Sequence, residues 1–152
     1  MRQRLLAWFP TRRGQRLDAI CVRWLGHSPF SYLLSSQHGL PYRRPLALTT
    51  TGRKTGRGHT IAISHGRTDG DAYTLVASNG GADREPHWLG NLRADPRAVV
   101  HVARKRVDVT ADILEGDAKL PLWAEITERA PVYARYQAGT ERDIPVVVLR
   151  PT

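Results

Sequence analysis

Apolar residues follow two different periods along this chain, and the change from one to the other divides it. Leu17, Ile20, Cys21, Trp24 and Leu25 sit at the i, i+3, i+4, i+7, i+8 spacing of an amphipathic helix, which Gly26 and Pro29 end. The stripe predicts the face that packs on the domain. From residue 45 the period becomes two. Residues 45–50, 60–66 and 72–77 read as strands, with a turn at Arg67-Thr68-Asp69-Gly70-Asp71 and a break at Ser78-Asn79-Gly80-Gly81. Residues 86–94 form a short helix stopped by Asp95-Pro96. Residues 98–103 and 107–114 form a hairpin around Arg104-Lys105-Arg106, with Val107, Val109, Ala111 and Ile113 facing one way and Asp108, Thr110 and Asp112 the other. Residues 120–129 are helical, with Leu122, Trp123 and Ile126 inward. Residues 132–138 add another helical turn, and 145–149 close the chain as a buried strand. About six mostly antiparallel strands with short inserted helices predict an α+β chain built on a small β-barrel, not a doubly wound parallel sheet. The organisation expected is an N-terminal helical segment, 1–40, and a barrel domain, 41–152.

Composition adds one unusual feature. With 152 residues, 41% hydrophobic and 24% charged, the chain has the size and balance of one globular domain. Its 23 Lys+Arg against 14 Asp+Glu give a net charge of +9. That excess favours an acidic partner: nucleic acid, an anionic membrane or a polyanionic cofactor. The cations are dispersed and lack a stacking-aromatic motif, so no nucleic-acid partner is expected. Cys21 is the single cysteine, which excludes an intramolecular disulfide and fits a cytoplasmic setting; on its apolar stripe it reads as core. No run approaches the ~20 apolar residues that cross a bilayer.

Arg2, Arg4, Leu5, Leu6, Trp8 and Phe9, followed by Arg12, Arg13 and Arg16, mix cations with interfacial aromatics. The apolar part is too short for a secretory signal and is cut by Pro10, so the segment reads as retained. Two readings stay open for it: packing on the domain, or reversible contact with an anionic membrane at its inner face. The six histidines lack ligand spacing, so no metal site is expected.

The segment Thr49-Thr50-Thr51-Gly52-Arg53-Lys54-Thr55-Gly56-Arg57 joins two strands. Glycines let backbone N–H groups approach a ligand, hydroxyls donate, and cations neutralise charge, so the turn suits a phosphate or carboxylate. It is not a Walker A loop, which needs four residues between Gly and Gly-Lys-Ser/Thr and a helix afterwards. A solvated basic hairpin is the plain alternative.

Four islands then fall in order: Leu48 to Gly56; Val76-Ala77-Ser78-Asn79-Gly80-Gly81-Ala82; Pro86-His87-Trp88-Leu89-Gly90-Asn91-Leu92 with Asp95-Pro96; and Tyr133, Tyr136 with Ile144-Pro145-Val146-Val147. Over roughly residues 40–152 the chain resembles the deazaflavin-dependent nitroreductase family. The resemblance implies a split β-barrel of the flavin-reductase type and coenzyme F420, a deazaflavin with a phosphodiester and a glutamate tail; FMN fits the cationic loop less well. It assigns the tail to Thr50, Arg53, Lys54, Thr55 and Gly56, with Arg57 supporting His59, which stands where Arg is common in the family. It lays the ring along Ala77, Ser78, Asn79 and Gly80 and near Trp88, Asn91 and Leu92, with Asn91 presented outward from its helix. It places Tyr133, Tyr136 and Ser78 at the acceptor, Tyr133 as the principal hydrogen-bond donor, and Ala130 where some members carry a third tyrosine. The implied activity is hydride transfer from reduced coenzyme F420 to a quinone, nitroaromatic or activated enone, by a monomer or homodimer. The alternative is a non-catalytic carrier of coenzyme F420 or lipid.

Overall fold

The Thr11 hydroxyl accepts the Gly14 N–H at 3.2 Å, satisfying one of the free donors at a helix start, and α1 runs from there as Arg12–Leu25. The computed structural model describes residues 11–37, 43–67 and 70–152, so the cluster from Arg2 to Phe9 lies outside the described residues, as do Thr68 and Asp69 of the expected turn. α1 packs across β2 (Gly58–Ile63), β1 (Leu46–Thr51) and β5 (Arg97–Val102).

The helix is where periodicity predicted it, but it is rolled over. Asp18, Ala19 and Val22 are buried against the sheet, while Leu17, Ile20, Trp24 and Leu25 are 49%, 51%, 66% and 62% exposed. Cys21 is half-buried. The expected packing stripe is therefore the outer face. Small Ala19 and β-branched Val22 let the helix approach the strands closely. Asp18 is tolerated because its carboxylate accepts the Ser28 hydroxyl at 2.8 Å and the Phe30 N–H at 3.2 Å, pinning the start of α2 (Pro29–Gln37) to α1.

The remaining strands are β3 (Gly66–Arg67), β4 (Tyr73–Val76), β6 (Lys105–Leu114) and β7 (Val146–Pro151). They form one antiparallel sheet in the order β2-β1-β5-β6-β7-β4-β3. This order forces curvature. Strands β2 and β3 are its two edges, yet only Ser64 and His65 separate Ile63 from Gly66, a chain reach of about 11 Å. In a flat sheet of seven strands the same edges would stand about 29 Å apart. The sheet must roll until its edges nearly meet, which is the split barrel expected. The single strand expected at 60–66 is thus two, one on each edge.

The rolled face encloses Leu46, Leu48, Leu75, Val100, Val109, Val147 and Leu149, capped by Trp88, Leu89 and Leu92 of α3 (His87–Ala94). Strand β6 alternates as its pattern predicts, with Val109 and Ala111 inward and Asp108 and Asp112 exposed. The β5–β6 turn falls at Ala103 and Arg104, both left-handed with φ of 47° and 69°, one residue before the expected Arg104-Lys105-Arg106. Two such residues match the strand twist of a tight hairpin.

Helices α4 (Leu120–Arg129) and α5 (Val132–Ala138) are fastened by a buried lysine. Lys119 pairs with Asp143, donates to the Ile144 carbonyl at 2.7 Å and lies 4.8 Å from the centre of the Trp123 ring.

Candidate cofactor and acceptor site

The β1–β2 connection is a tight basic loop. Gly52 N–H donates to Arg57 O at 2.8 Å, and Thr55 and Gly56 N–H both return to Gly52 O at 3.1 and 2.7 Å. This closes the backbone on itself and leaves Lys54, Thr55, Gly56 and Arg57 exposed. The His59 ring folds back over Gly52, with Nε2 3.4 Å from the Thr55 hydroxyl. Among the described residues, no carboxylate is ion-paired with Arg53, Lys54 or Arg57. Cations without a paired carboxylate, on a loop closed by its own hydrogen bonds, suit an anion.

Arg53 is held differently from its neighbours. The Asn91 side-chain oxygen accepts both Arg53 N–H at 3.2 Å and Arg53 Nη1–H at 3.3 Å, and Nη1 also donates to the His87 carbonyl at 3.3 Å. The Asn91 amide nitrogen donates to the Thr50 hydroxyl at 3.0 Å. Asn91 is buried, not presented outward as the sequence suggested, because its amide has three partners inside the junction of loop and helix. Thr50 is buried too and spends its hydroxyl there. Gly90 completes the junction: a Cβ on it would lie 2.7 Å from Arg53 Nη1, so only glycine admits the guanidinium. Trp88 and Leu92 are core residues, with Trp88 8% exposed.

The second segment, Ala77 to Ala82, leaves the end of β4. Asn79, Gly80 and Gly81 all have positive φ (49°, 67° and 83°), a strained run at a non-glycine such as Asn79. Asn79 donates from its side chain to Arg84 O at 2.9 Å, and Gly81 N–H donates to Ser78 O at 2.9 Å. Ala77 and Ser78 are buried, while Asn79 and Gly80 are exposed. Arg84 and His87 flank the start of α3, so one helix end receives Asn79 on one side and Arg53 on the other. That brings the first three islands together.

The tyrosines come from α5. Tyr133 and Tyr136 are half-buried, their rings edge-to-face with centres 6.1 Å apart at 73°. Burial first, then the neighbouring Tyr136, pushes the Tyr133 phenol above its ordinary range, so it stays a protonated donor near neutrality. Tyr136 packs on the turn: a Cβ on Gly81 would lie 3.1 Å from its ring, so the tyrosine helix touches the 79–81 turn directly. Arg142 was not foreseen. It joins this turn from the α5–β7 connection, and an isolated arginine in a polar linker carries no periodic or motif signal.

Comparison with known proteins shows the family of the chain. A family model for F420H(2)-dependent quinone reductase matches residues 35–151. This chain belongs to the F420H(2)-dependent quinone reductase family. It is 43% identical over 116 residues to an F420H(2)-dependent quinone reductase of Mycobacterium tuberculosis, covering 74% of this chain and 77% of that one. Among solved structures, an F420-H2 dependent reductase, FDR-A, superposes with a TM-score of 0.63 at 36% identity, over 71% of this chain and 95% of its own. A protein described as a domain-swapped dimer superposes with a TM-score of 0.63 at 31% identity, over 81% of this chain and all of its own. As a member of the family the chain is an F420-dependent oxidoreductase, and reduced coenzyme F420 is its cofactor. The unpaired cations of the 52–57 loop fit a polyanionic tail, and the exposed 79–80 turn beside the tyrosines fits a flat ring.

Proposed function

We propose that this chain transfers hydride from reduced coenzyme F420 to a quinone, with Lys54, Thr55, Gly56 and Arg57 holding the tail together with the exposed guanidinium of Arg53. The reduced deazaflavin supplies two electrons as hydride, and the protein supplies placement. A quinone that accepts hydride needs one proton to become a quinol, and Tyr133, its phenol kept protonated by burial, would hydrogen-bond the acceptor oxygen where that charge develops. Tyr136 would wall the acceptor, Ser78 would be a further donor, and residues 77–80 would line the ring. Nitroaromatics and activated enones fall within the same chemistry, since each also takes hydride and then a proton. The carrying observation is the contact of the tyrosine helix with the 79–81 turn. A carrier needs no phenol pair there. Reduction of menadione by the purified protein with reduced coenzyme F420 tests the reading. Tight cofactor binding without turnover of any quinone favours the carrier.

The outward face of α1 favours a peripheral lipid contact at the inner face of the membrane. Leu17, Ile20, Trp24 and Leu25 are exposed, flanked by exposed Arg13, Arg16 and Arg23, the combination that seats helices at anionic interfaces. A quinone dissolved in lipid would be met there. The domain-swapped dimer among structural relatives favours the homodimer over the monomer.

A further inference from the structure

Arg142 gathers the backbone of the cofactor loop onto one side chain. Its Nε donates to the Ala82 carbonyl at 2.8 Å, and its Nη2 donates to the Ala77 carbonyl at 3.1 Å and the Ser78 carbonyl at 2.6 Å. These three oxygens bracket the turn in which Asn79, Gly80 and Gly81 run left-handed in succession. Gly80 and Gly81 adopt such angles freely, so the cost falls on Asn79, whose left-handed φ is kept by the contacts around it. The Asn79–Arg84 bond and the Gly81–Ser78 bond are internal to the segment. Arg142 reaches it from outside, across 60 to 65 residues of sequence.

The same linker also holds the acceptor helix. Gln137 of α5 donates to the Arg142 carbonyl at 2.8 Å and accepts the Ile144 N–H at 3.0 Å. Thr140 donates to Asp83, just past the turn, at 2.9 Å. With Tyr136 resting on Gly81, residues 77–83 are joined to α5 and the linker after it by three ties among the described residues, of which Arg142 is the one that binds the backbone carbonyls around the turn.

We infer that Arg142 is a positioning residue for the F420 reaction: its guanidinium fixes the left-handed turn at 79–81 against the tyrosine helix, and so sets the distance between the ring seat and the acceptor pocket. The inference gives it no contact with cofactor or acceptor, and its Nη1 is buried without a hydrogen-bond partner among the described residues. The inference rests on the proposed placement of the ring along residues 77–80. A planar fork with donors on two nitrogens is what three convergent carbonyls require, and a single ammonium cannot span them equally.

The test compares two ligands, coenzyme F420 and its riboside lacking phosphate and tail, titrated by fluorescence against wild type, Arg142→Met, Arg142→Lys and Lys54→Ala. In Arg142→Met both ligands should weaken by a similar factor, about tenfold, because the ring seat is lost while the tail loop is untouched. Lys54→Ala should weaken only the full cofactor. With quinone as acceptor, kcat of Arg142→Met should fall further than KM rises, and Arg142→Lys should recover part of it. Should Arg142→Met fail to fold, Arg142→Lys carries the same comparison. A lowered melting temperature with affinity for both ligands and kcat within twofold of wild type overturns the inference, because Arg142 then braces the fold alone. Loss of the full cofactor only, as in Lys54→Ala, overturns it as well and makes Arg142 a tail residue. If the wild type itself binds the tail-less riboside no more tightly than Arg142→Met does while binding coenzyme F420, the ring placement is what fails.

Discussion

Asn91 holds Arg53 twice, accepting its main-chain N–H at 3.2 Å and its guanidinium Nη1–H at 3.3 Å on one oxygen. The loop proposed to hold the cofactor tail is therefore oriented by a helix 38 residues further on. Gly90, beside Asn91, keeps the guanidinium flat on that helix. Gly90→Ala should push Arg53 off α3, since a Cβ would stand 2.7 Å from Nη1. Affinity for coenzyme F420 should then fall by about 1–2 kcal/mol, the scale of one misplaced charge-assisted bond. Titration of the variant checks it, and unchanged affinity would show that Arg53 plays no part in the tail site.

Tyr133→Phe should lower turnover of a quinone by roughly a hundredfold, the lower end for loss of a positioned proton donor, with cofactor affinity unchanged. Its phenol is pushed above the ordinary range by burial and by Tyr136, so it remains protonated through neutral and mildly alkaline pH. The rate should accordingly show no break attributable to Tyr133 between pH 6 and pH 9. Equal turnover in wild type and variant would reduce Tyr133 to packing.

His101 gives a pH dependence of stability. Burial first, and then Arg23 and Arg106, hold its imidazole below the ordinary value of 6.5, and its Nδ1 is buried without a hydrogen-bond partner. The unfolded chain therefore binds its proton at a higher pH than the folded one. This favours the folded state fully above pH 6.5, and the advantage shrinks as pH falls from 6.5 through the depressed folded value. Urea unfolding at pH 7.5 and 5.5 should show the loss, and His101→Gln should reduce it. An identical slope in the variant would assign the effect to other groups.

The exposed α1 face makes a separable prediction. Trp24→Ser combined with Leu25→Ser should abolish sedimentation with vesicles rich in anionic lipid at low salt, and leave cofactor binding intact. Wild-type sedimentation should itself disappear at high salt if cations contribute, each by roughly 1 kcal/mol. A wild type that stays in the supernatant at low salt would mean the face serves no lipid contact.

Local pattern carried most of the architecture. Period-two alternation in 107–114, the break at 78–81 and the Gly-punctuated basic turn each follow from side-chain direction or backbone freedom within a few residues, so the strands, the 52–57 loop and the tyrosine pair at three-residue spacing were legible in the chain itself. What the sequence left open was which surfaces meet. A helix with two partly apolar faces does not say which is inward; the sheet chose Ala19 and Val22 because small side chains pack closely, leaving Leu17 and Trp24 outside. The closure of the barrel came from Ser64 and His65 carrying the chain between opposite edges of the sheet, a fact of strand order and not of residue type. The roles of Asn91, Gly90 and Arg142 likewise appeared only in three dimensions, because each meets groups that folding brings to it from 37 to 65 residues away.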